Sequence, residues 1–363
     1  MQQTTDYVTF ESMSVKKGLV LDTVKLKNLN SGLGQFCLHL GQAIQKHNQN
    51  FDLSCLIASP TDQVFGDSMK YIVATLWNRF WGISNTADIW HSFHHGSPYH
   101  TTNKKTKRIV TVHDLNFMLK YRGWKRNREL HKLKLEIKQA DAVVAISNFT
   151  RQEILRYIDV GKKKIAVIYN GLNISMAPAQ KPKFILFNKF FFSLGIISEK
   201  KNFHVLLPLL KQKDDFSLVI AGNKNGKYAQ RLMEEAKQLG VSNRLIMPGE
   251  ISEGEKLWLY QNCEAFLFPS LQEGFGLPVL EAMNEGKPVF CSNHTALPEV
   301  GGPHAYYFTD FHPDSMEAVL SEGLADYTAT PGKRIELQNW AKKFSWQEAA
   351  KKYLVLYRQL AKN

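Results

Sequence analysis

Two glutamates stand eight positions apart around a glycine-rich turn in the stretch Glu273-Gly274-Phe275-Gly276-Leu277-Pro278-Val279-Leu280-Glu281. Carboxylates accept strongly from hydroxyls, so the pair suits a ligand rich in them, such as a sugar or a ribose. The turn between them suits a different group. Pro278 marks a helix start, and the amides of Phe275, Gly276 and Leu277 lie near the positive end of that helix, where a diphosphate is favoured. Gly274 and Gly276 would let the chain approach such a ligand closely. Lys200 and Lys201, following Gly195 and leading into Asn202, could neutralise a departing diphosphate with two compact ammonium groups. His113 ends the apolar run that begins at Arg108 and has Asp114 beside it, a place from which an imidazole reaches a ligand in a cleft.

These groups need strands and helices to position them. Gly18–Val24, Asp52–Ala58, Asp88–His91, Arg108–Val112, Ala142–Ile146 and Ile165–Tyr169 read as strands, alternating with helical stretches such as Gly34–Lys46 and Asn148–Tyr157, the latter capped by Ser147 or Asn148. A linker around Pro178 and Pro182 precedes a second series: Phe184–Leu194, Ser217–Ala221, Leu245–Met247, Ala265–Pro269, Pro288–Cys291 and Ala305–Phe308. The pattern predicts an α/β chain of two doubly wound, Rossmann-like domains facing across a cleft, over residues 1–176 and 183–342, with a final amphipathic helix in 343–363. Ligands of open parallel sheets bind at the carboxyl ends of the strands, which puts the residues above in the cleft.

Composition narrows the partners. The chain of 363 residues carries a formal net charge of +13, and Met1 to Asn173 accounts for most of it, with 24 Lys and Arg against 13 Asp and Glu. The densest run, Lys120 through Lys138, reads as a basic helix with Leu130, Leu133 and Ile137 on one face and Trp124 at its start. Such a helix suits peripheral contact with an anionic membrane or an anionic acceptor. No groove-reading motif or repeated base-stacking pattern supports nucleic acid. No stretch is apolar enough to span a bilayer, and Met1 to Lys17 is too polar for a signal peptide, so the expected location is cytoplasmic, peripheral on the inner face of the cell membrane. Cys37, Cys55, Cys263 and Cys291 lack ligand-like spacing and read as reduced packing residues. Ser31-Gly32-Leu33-Gly34 has a partial dinucleotide fingerprint, but Cys37 occupies the third glycine position, which argues against a nicotinamide cofactor. The histidines His91, His94, His95 and His100 lack acidic partners or helical metal spacing, and no D-x-D triplet is present, so metal independence and no cofactor are expected.

The stretch from Glu273 to Glu281 resembles the E-x7-E motif of retaining GT-B glycosyltransferases of family 4, the group 1 type. The resemblance implies that Glu273 contacts the donor hexose and Glu281 the nucleotide ribose, with His113 also on the donor sugar. Further positions match: the glycine loop ending at Gly34, Lys200-Lys201-Asn202, Tyr169-Asn170-Gly171, Ala221-Gly222-Asn223, Pro248-Gly249-Glu250-Ile251 where the base is met, and Phe344-Ser345-Trp346, where the chain crosses back to the first domain. One branch of the family has an arginine directly after the glycine, where this chain has Ile196. The resemblance implies transfer of a hexose, with a lean towards mannose, from a nucleotide diphosphate sugar to a hydroxyl of a glycan or lipid-linked saccharide, as in surface polysaccharide synthesis. A phosphorylase or sugar-nucleotide epimerase of the same fold, and a non-enzymatic basic docking module, are the alternatives.

Overall fold

Apolar runs alternate with amphipathic ones along the chain, and the structure, a computed structural model describing residues 16–29, 31–185 and 187–362, turns those runs into strands. Most of the polar Met1–Lys17 segment lies outside the described residues. The strands are β1 (Lys17–Asp22), β2 (Phe51–Ile57), β3 (Lys70–Val73), β4 (Ile89–Ser92), β5 (Lys107–Val112), β6 (Ala142–Ala145), β7 (Ile165–Val167), β8 (Phe190–Leu194), β9 (Ser217–Ala221), β10 (Leu245–Gly249), β11 (Ala265–Phe268), β12 (Val289–Ser292) and β13 (Tyr306–Phe308). One parallel sheet has the order β3-β2-β1-β4-β5-β6-β7, and a second has the order β10-β9-β8-β11-β12-β13.

Both orders reverse direction once, between β1 and β4 in the first sheet and between β8 and β11 in the second. At such a switch point the connections leave towards opposite faces and open a crevice at the strands' carboxyl ends, so the loops after these strands carry the chemistry. The central strands read as unbroken apolar runs because helices cover both faces of the sheet. Every side chain of β11 is buried, and so are Phe190, Phe191 and Phe192 of β8. Each fully buried phenylalanine contributes about 1.5–3 kcal/mol relative to an exposed one.

Two strand expectations change. Phe184–Leu194 is a strand only from Phe190 onward. Ile185 instead donates its amide to Pro182 O (3.2 Å), and the Phe187 ring meets Phe190 edge to face, so this apolar stretch is buried by a loop rather than a ladder. Strand β3, absent from the sequence reading, lies at the sheet edge with no fully buried residue, so neither alternation nor a continuous apolar run announces it.

The last helix, Trp346–Lys362, packs on the helix Gly32–His47 of the first sheet's layer. The outgoing and returning chains run side by side where it starts: Leu172 N donates to Phe344 O (2.9 Å) and Trp346 Nε1 to Asn173 Oδ1 (2.8 Å). Gly171 is glycine because any Cβ there would lie 2.1 Å from Trp346 N. Inside the first layer, His91 exchanges hydrogen bonds with Tyr357 Oη (2.6 Å) and Thr111 Oγ1 (2.8 Å), and burial pulls its pKa down to about 3. That histidine ties the final helix to the sheet.

Candidate active site

Glu273 stands in the loop after β11, and Glu281 lies in the second turn of the helix Leu277–Asn284. Pro278 falls in the helix's first turn, as its spacing predicts, and Gly276 at the N-cap has φ 120°, a conformation that favours glycine. No side chain caps this end. Among the described residues, the amides of Gly274, Phe275, Gly276 and Leu277 donate to no protein acceptor, which leaves a row of donors at the positive pole of the helix.

The Glu273 carboxylate is held from two sides. Lys201 Nζ lies 2.5 Å from its Oε1, and Ser270 Oγ donates to the same atom at 2.6 Å. Burial alone would raise the Glu273 pKa, but Lys201 first, then Lys200, outweigh it and hold the carboxyl below the usual range. Lys201 is itself buried, with its ammonium 4.5 Å from the centre of the Phe268 ring. Burial lowers its pKa, and Glu273 opposes the shift. Lys200 is exposed, and its carbonyl accepts from Leu271 N (2.8 Å), which joins the loop after β8 to the loop after β11 at the switch point. Gly195, at φ 145°, passes Lys201 so closely that a Cβ would lie 2.9 Å from Lys201 Cε.

Glu281 has its own partners. Tyr260 Oη donates to its Oε2 (3.0 Å), and Lys256 Nζ lies 3.9 Å away. Burial raises the Glu281 pKa, with Lys256 and Tyr260 opposing. Lys256 and Glu253 also act electrostatically on His39 of the helix Gly32–His47, which brings this end of the site close to the first domain. Asn223, after β9, donates to Glu250 Oε1 (3.1 Å), and the half-buried Ile251 packs on the core.

The first domain closes over the loop after β11. His113, following β5, donates from Nε2 to Phe93 O (2.8 Å), packs edge to face on Phe36, and has its pKa lowered by burial to about 4. The imidazole is therefore neutral at pH 7 with its proton on Nε2, and Nδ1 is left as an acceptor. Its own carbonyl faces Gly274, where a Cβ would lie 2.2 Å from His113 O. Gly274 thus serves a close approach to protein rather than to a ligand. Gly34 has a similar explanation: its amide caps onto Ser31 Oγ (3.0 Å), and a Cβ would lie 2.0 Å from Asn28 O.

Residues 34–176 match the model of Glycosyltransferase Family 4, and residues 179–344 match that of glycosyl transferases group 1. The chain belongs to the group 1 glycosyltransferases. The serotype-specific mannosyltransferase WbdA of Escherichia coli is 31% identical over 268 residues, 68% of this chain and 33% of WbdA, so the chain spans about a third of that relative's length. The O-antigen chain mannosyltransferase RfbU of Salmonella typhimurium is 24% identical over 324 residues, 83% of this chain and 90% of RfbU. Sucrose-phosphate synthase from Thermosynechococcus elongatus superposes with a TM-score of 0.74 at 16% identity, over 95% of this chain and 99% of that one. Anabaena HepE in complex with UDP and glucose superposes with a TM-score of 0.72 at 14% identity, over 94% and 100%. These neighbours share the GT-B architecture of two parallel-sheet domains.

Sequence reasoning missed Thr295 and Glu299, and the cross-domain contact of Ser147, all of which hold the site in place. Thr295 adopts φ 59°, an outlier for a β-branched residue, and its Oγ1 accepts from Glu273 N (3.1 Å). Glu299 reaches across to the start of the helix Asn148–Tyr157, where it accepts from Asn148 N (2.7 Å), Phe149 N (3.1 Å) and Tyr169 Oη (2.6 Å). A carboxylate at a helix N-terminus is favourable, and here it joins the two domains. Ser147 caps that helix through Thr150 N, as expected, and also donates to Gly274 O (2.9 Å). The only advance signal was the capping residue; partners more than a hundred positions away leave no local trace. Among the described residues, no three His, Cys, Asp or Glu side chains converge in a way that could hold a metal ion. A hollow of about 440 Å³ lies elsewhere, between the loop after β4 and the helix Gly123–Gln139.

Proposed function

We propose that this chain is a retaining hexosyltransferase that moves a mannosyl group from a nucleotide diphosphate sugar to a hydroxyl of a glycan or lipid-linked saccharide in surface polysaccharide synthesis. The observation that carries the reading is the buried Lys201–Glu273 pair beside four amides without protein acceptors, at the switch point of the second sheet. Mannose is supported by the names of the relatives WbdA and RfbU, and the nucleotide donor by the UDP held in the HepE neighbour.

Breaking the anomeric C–O bond leaves positive charge on the sugar ring and negative charge on the departing diphosphate. Lys200, Lys201 and the amides of Phe275, Gly276 and Leu277 stabilise that leaving group, each well-placed donor contributing about 2.7–4 kcal/mol. Glu273 orients the hexose hydroxyls, with its carboxylate held by Lys201 and Ser270 and its backbone amide by Thr295. Neutral His113 offers Nδ1 to a donor-sugar hydroxyl. Glu281, steered by Tyr260 and Lys256, accepts from the ribose, while Asn223 and Ile251 lie where the nucleotide runs on. Gly34 lies in the first turn of the helix Gly32–His47, whose start faces the phosphates from the first domain. The departing phosphate takes the acceptor's proton on the same face of the sugar, which retains configuration. These cations and amides balance the diphosphate charge without a metal ion. The chain works at the inner face of the cell membrane, which the basic face of the helix Gly123–Gln139 contacts.

The test is nucleotide release from UDP-, GDP- and ADP-hexoses with and without a lipid-linked glycan. Release from one donor, dependent on the acceptor and accompanied by a glycoside of unchanged anomeric configuration, supports the reading. Acceptor-independent epimerisation, or phosphorolysis of the glycan, refutes it.

A further inference from the structure

No helix among the described residues is long and apolar enough to cross a membrane. Yet one short segment of the first domain carries more exposed apolar surface than any core-facing role explains. Leu76, Trp77, Phe80 and Trp81 are 70%, 73%, 77% and 74% exposed, within six consecutive residues. Large apolar side chains clustered in the open mark an interaction surface, whereas scattered single ones do not.

The segment is built to present them. The turn Asn78–Trp81 is fixed at its start by reciprocal hydrogen bonds, Thr75 N to Asn78 Oδ1 (2.8 Å) and Asn78 N to Thr75 Oγ1 (3.3 Å). At its end Gly82 adopts φ 72° and fits against His100 and Thr102, while Thr102 N donates to Ile83 O (3.1 Å). Arg79 in the middle donates from Nε to Tyr99 Oη (3.3 Å). The base of the prong is therefore anchored on the loop 99–105, and its apolar side chains stand outward.

The surroundings are cationic. Between Lys70 and Arg108 the chain has six Lys and Arg residues against one Asp, and Lys104 and Lys105 are exposed in the anchoring loop itself. Tyr99, His100 and Thr101 of that loop form one wall of the 440 Å³ hollow, and Lys132 and Leu135 of the basic helix Gly123–Gln139 form the other. The loop that anchors the prong and the basic helix thus line one hollow. Trp124, at the start of that helix, is 72% exposed.

We propose that Leu76–Trp81 inserts into an anionic phospholipid bilayer as an aromatic wedge, while Arg79, Lys104, Lys105 and the basic helix meet the headgroups. The occupant is argued from charge and layering: apolar crest, aromatic rings and cationic base follow the order of a bilayer interface, where tryptophan is enriched and cations attract acidic lipids. The inference deepens the membrane contact proposed above and rests on it.

The test is co-sedimentation of the full chain with vesicles of phosphatidylethanolamine and phosphatidylglycerol, and with vesicles of phosphatidylcholine alone. The combined Trp77→Ser, Phe80→Ser and Trp81→Ser variant should bind the anionic vesicles at least about tenfold more weakly than wild type, with unchanged melting temperature. In a Trp77→Phe, Trp81→Phe variant, binding should persist while quenching of tryptophan fluorescence by bromine-labelled acyl chains falls. Charge reversal of Lys125, Arg126 and Arg128 to Glu tests the helix separately. If the serine variant binds like wild type while the helix reversal releases the chain, the wedge is refuted and the helix contact stands. Absence of wild-type binding refutes both. A dimer in sedimentation velocity that the serine variant abolishes, without vesicle binding, assigns the prong to a second copy and also overturns the proposal.

Discussion

Replacing Lys201 with alanine leaves the Glu273 carboxylate with Ser270 and without its 2.5 Å ion-pair partner, in a place where the two side chains are 10% and 14% exposed. Breaking a buried pair by removing one member costs about 3–5 kcal/mol, because the remaining charge is stranded. Taking about 3 kcal/mol, since some solvent reaches both groups, and ~2–4 °C per kcal/mol for a domain of this size, melting should fall by roughly 6–12 °C. The loss to catalysis is separate. One donor missing from the departing diphosphate lowers kcat by about 100- to 1000-fold. The double variant Lys201→Ala, Glu273→Gln distinguishes the two effects. Removing both charges should restore most of the melting temperature and none of the activity. Calorimetric melting with nucleotide-release kinetics measures both quantities. A Lys201→Ala protein that melts and turns over like wild type would refute the reasoning, and a double variant that regains activity would remove Lys201 from the chemistry.

Two other perturbations follow from the packing. Gly274→Ala places a Cβ 2.2 Å from His113 O, so the domains must separate; small-angle scattering should show a larger radius of gyration and kcat/KM should fall at least about tenfold, whereas an unchanged particle with full activity would contradict the contact. Glu136 in the first domain accepts from Gly96 N (2.8 Å), and burial pushes its pKa up to about 7. A raised folded-state value means that its contribution is present below about pH 4.3 and is lost as pH rises through about 7. Glu136→Gln should therefore melt like wild type near pH 4 and above it at pH 8, and an equal difference at every pH would count against the assignment.

Local patterns made much of the fold legible. The strand runs around β1, β5, β9 and β11, the Ser147 cap and the final helix each announce themselves within a few residues, because burial on both sheet faces and helix capping are short-range signals. The glycines were harder. Gly34 and Gly274 stand where the chain was expected to approach a ligand, and Gly171 in a segment matched to the family, yet the structure explains each by a neighbouring backbone: Asn28, His113 and Trp346. Such approaches depend on how the chain returns to itself, which no window of sequence records. The same holds for Glu299, whose partners at Asn148 and Tyr169 lie across the domain boundary. The exposed segment Leu76–Trp81 shows the opposite failure. Its aromatics are plain in the sequence, but without coordinates an apolar cluster reads as core.

The central claim is that the second domain grips an activated sugar through its diphosphate and ribose. Calorimetric titration of UDP, GDP and ADP into wild type, Lys201→Ala and Glu281→Ala tests it most directly. The account predicts that one nucleoside diphosphate binds the wild type and that each variant weakens it by about tenfold or more. Equal affinity in all three proteins would contradict it.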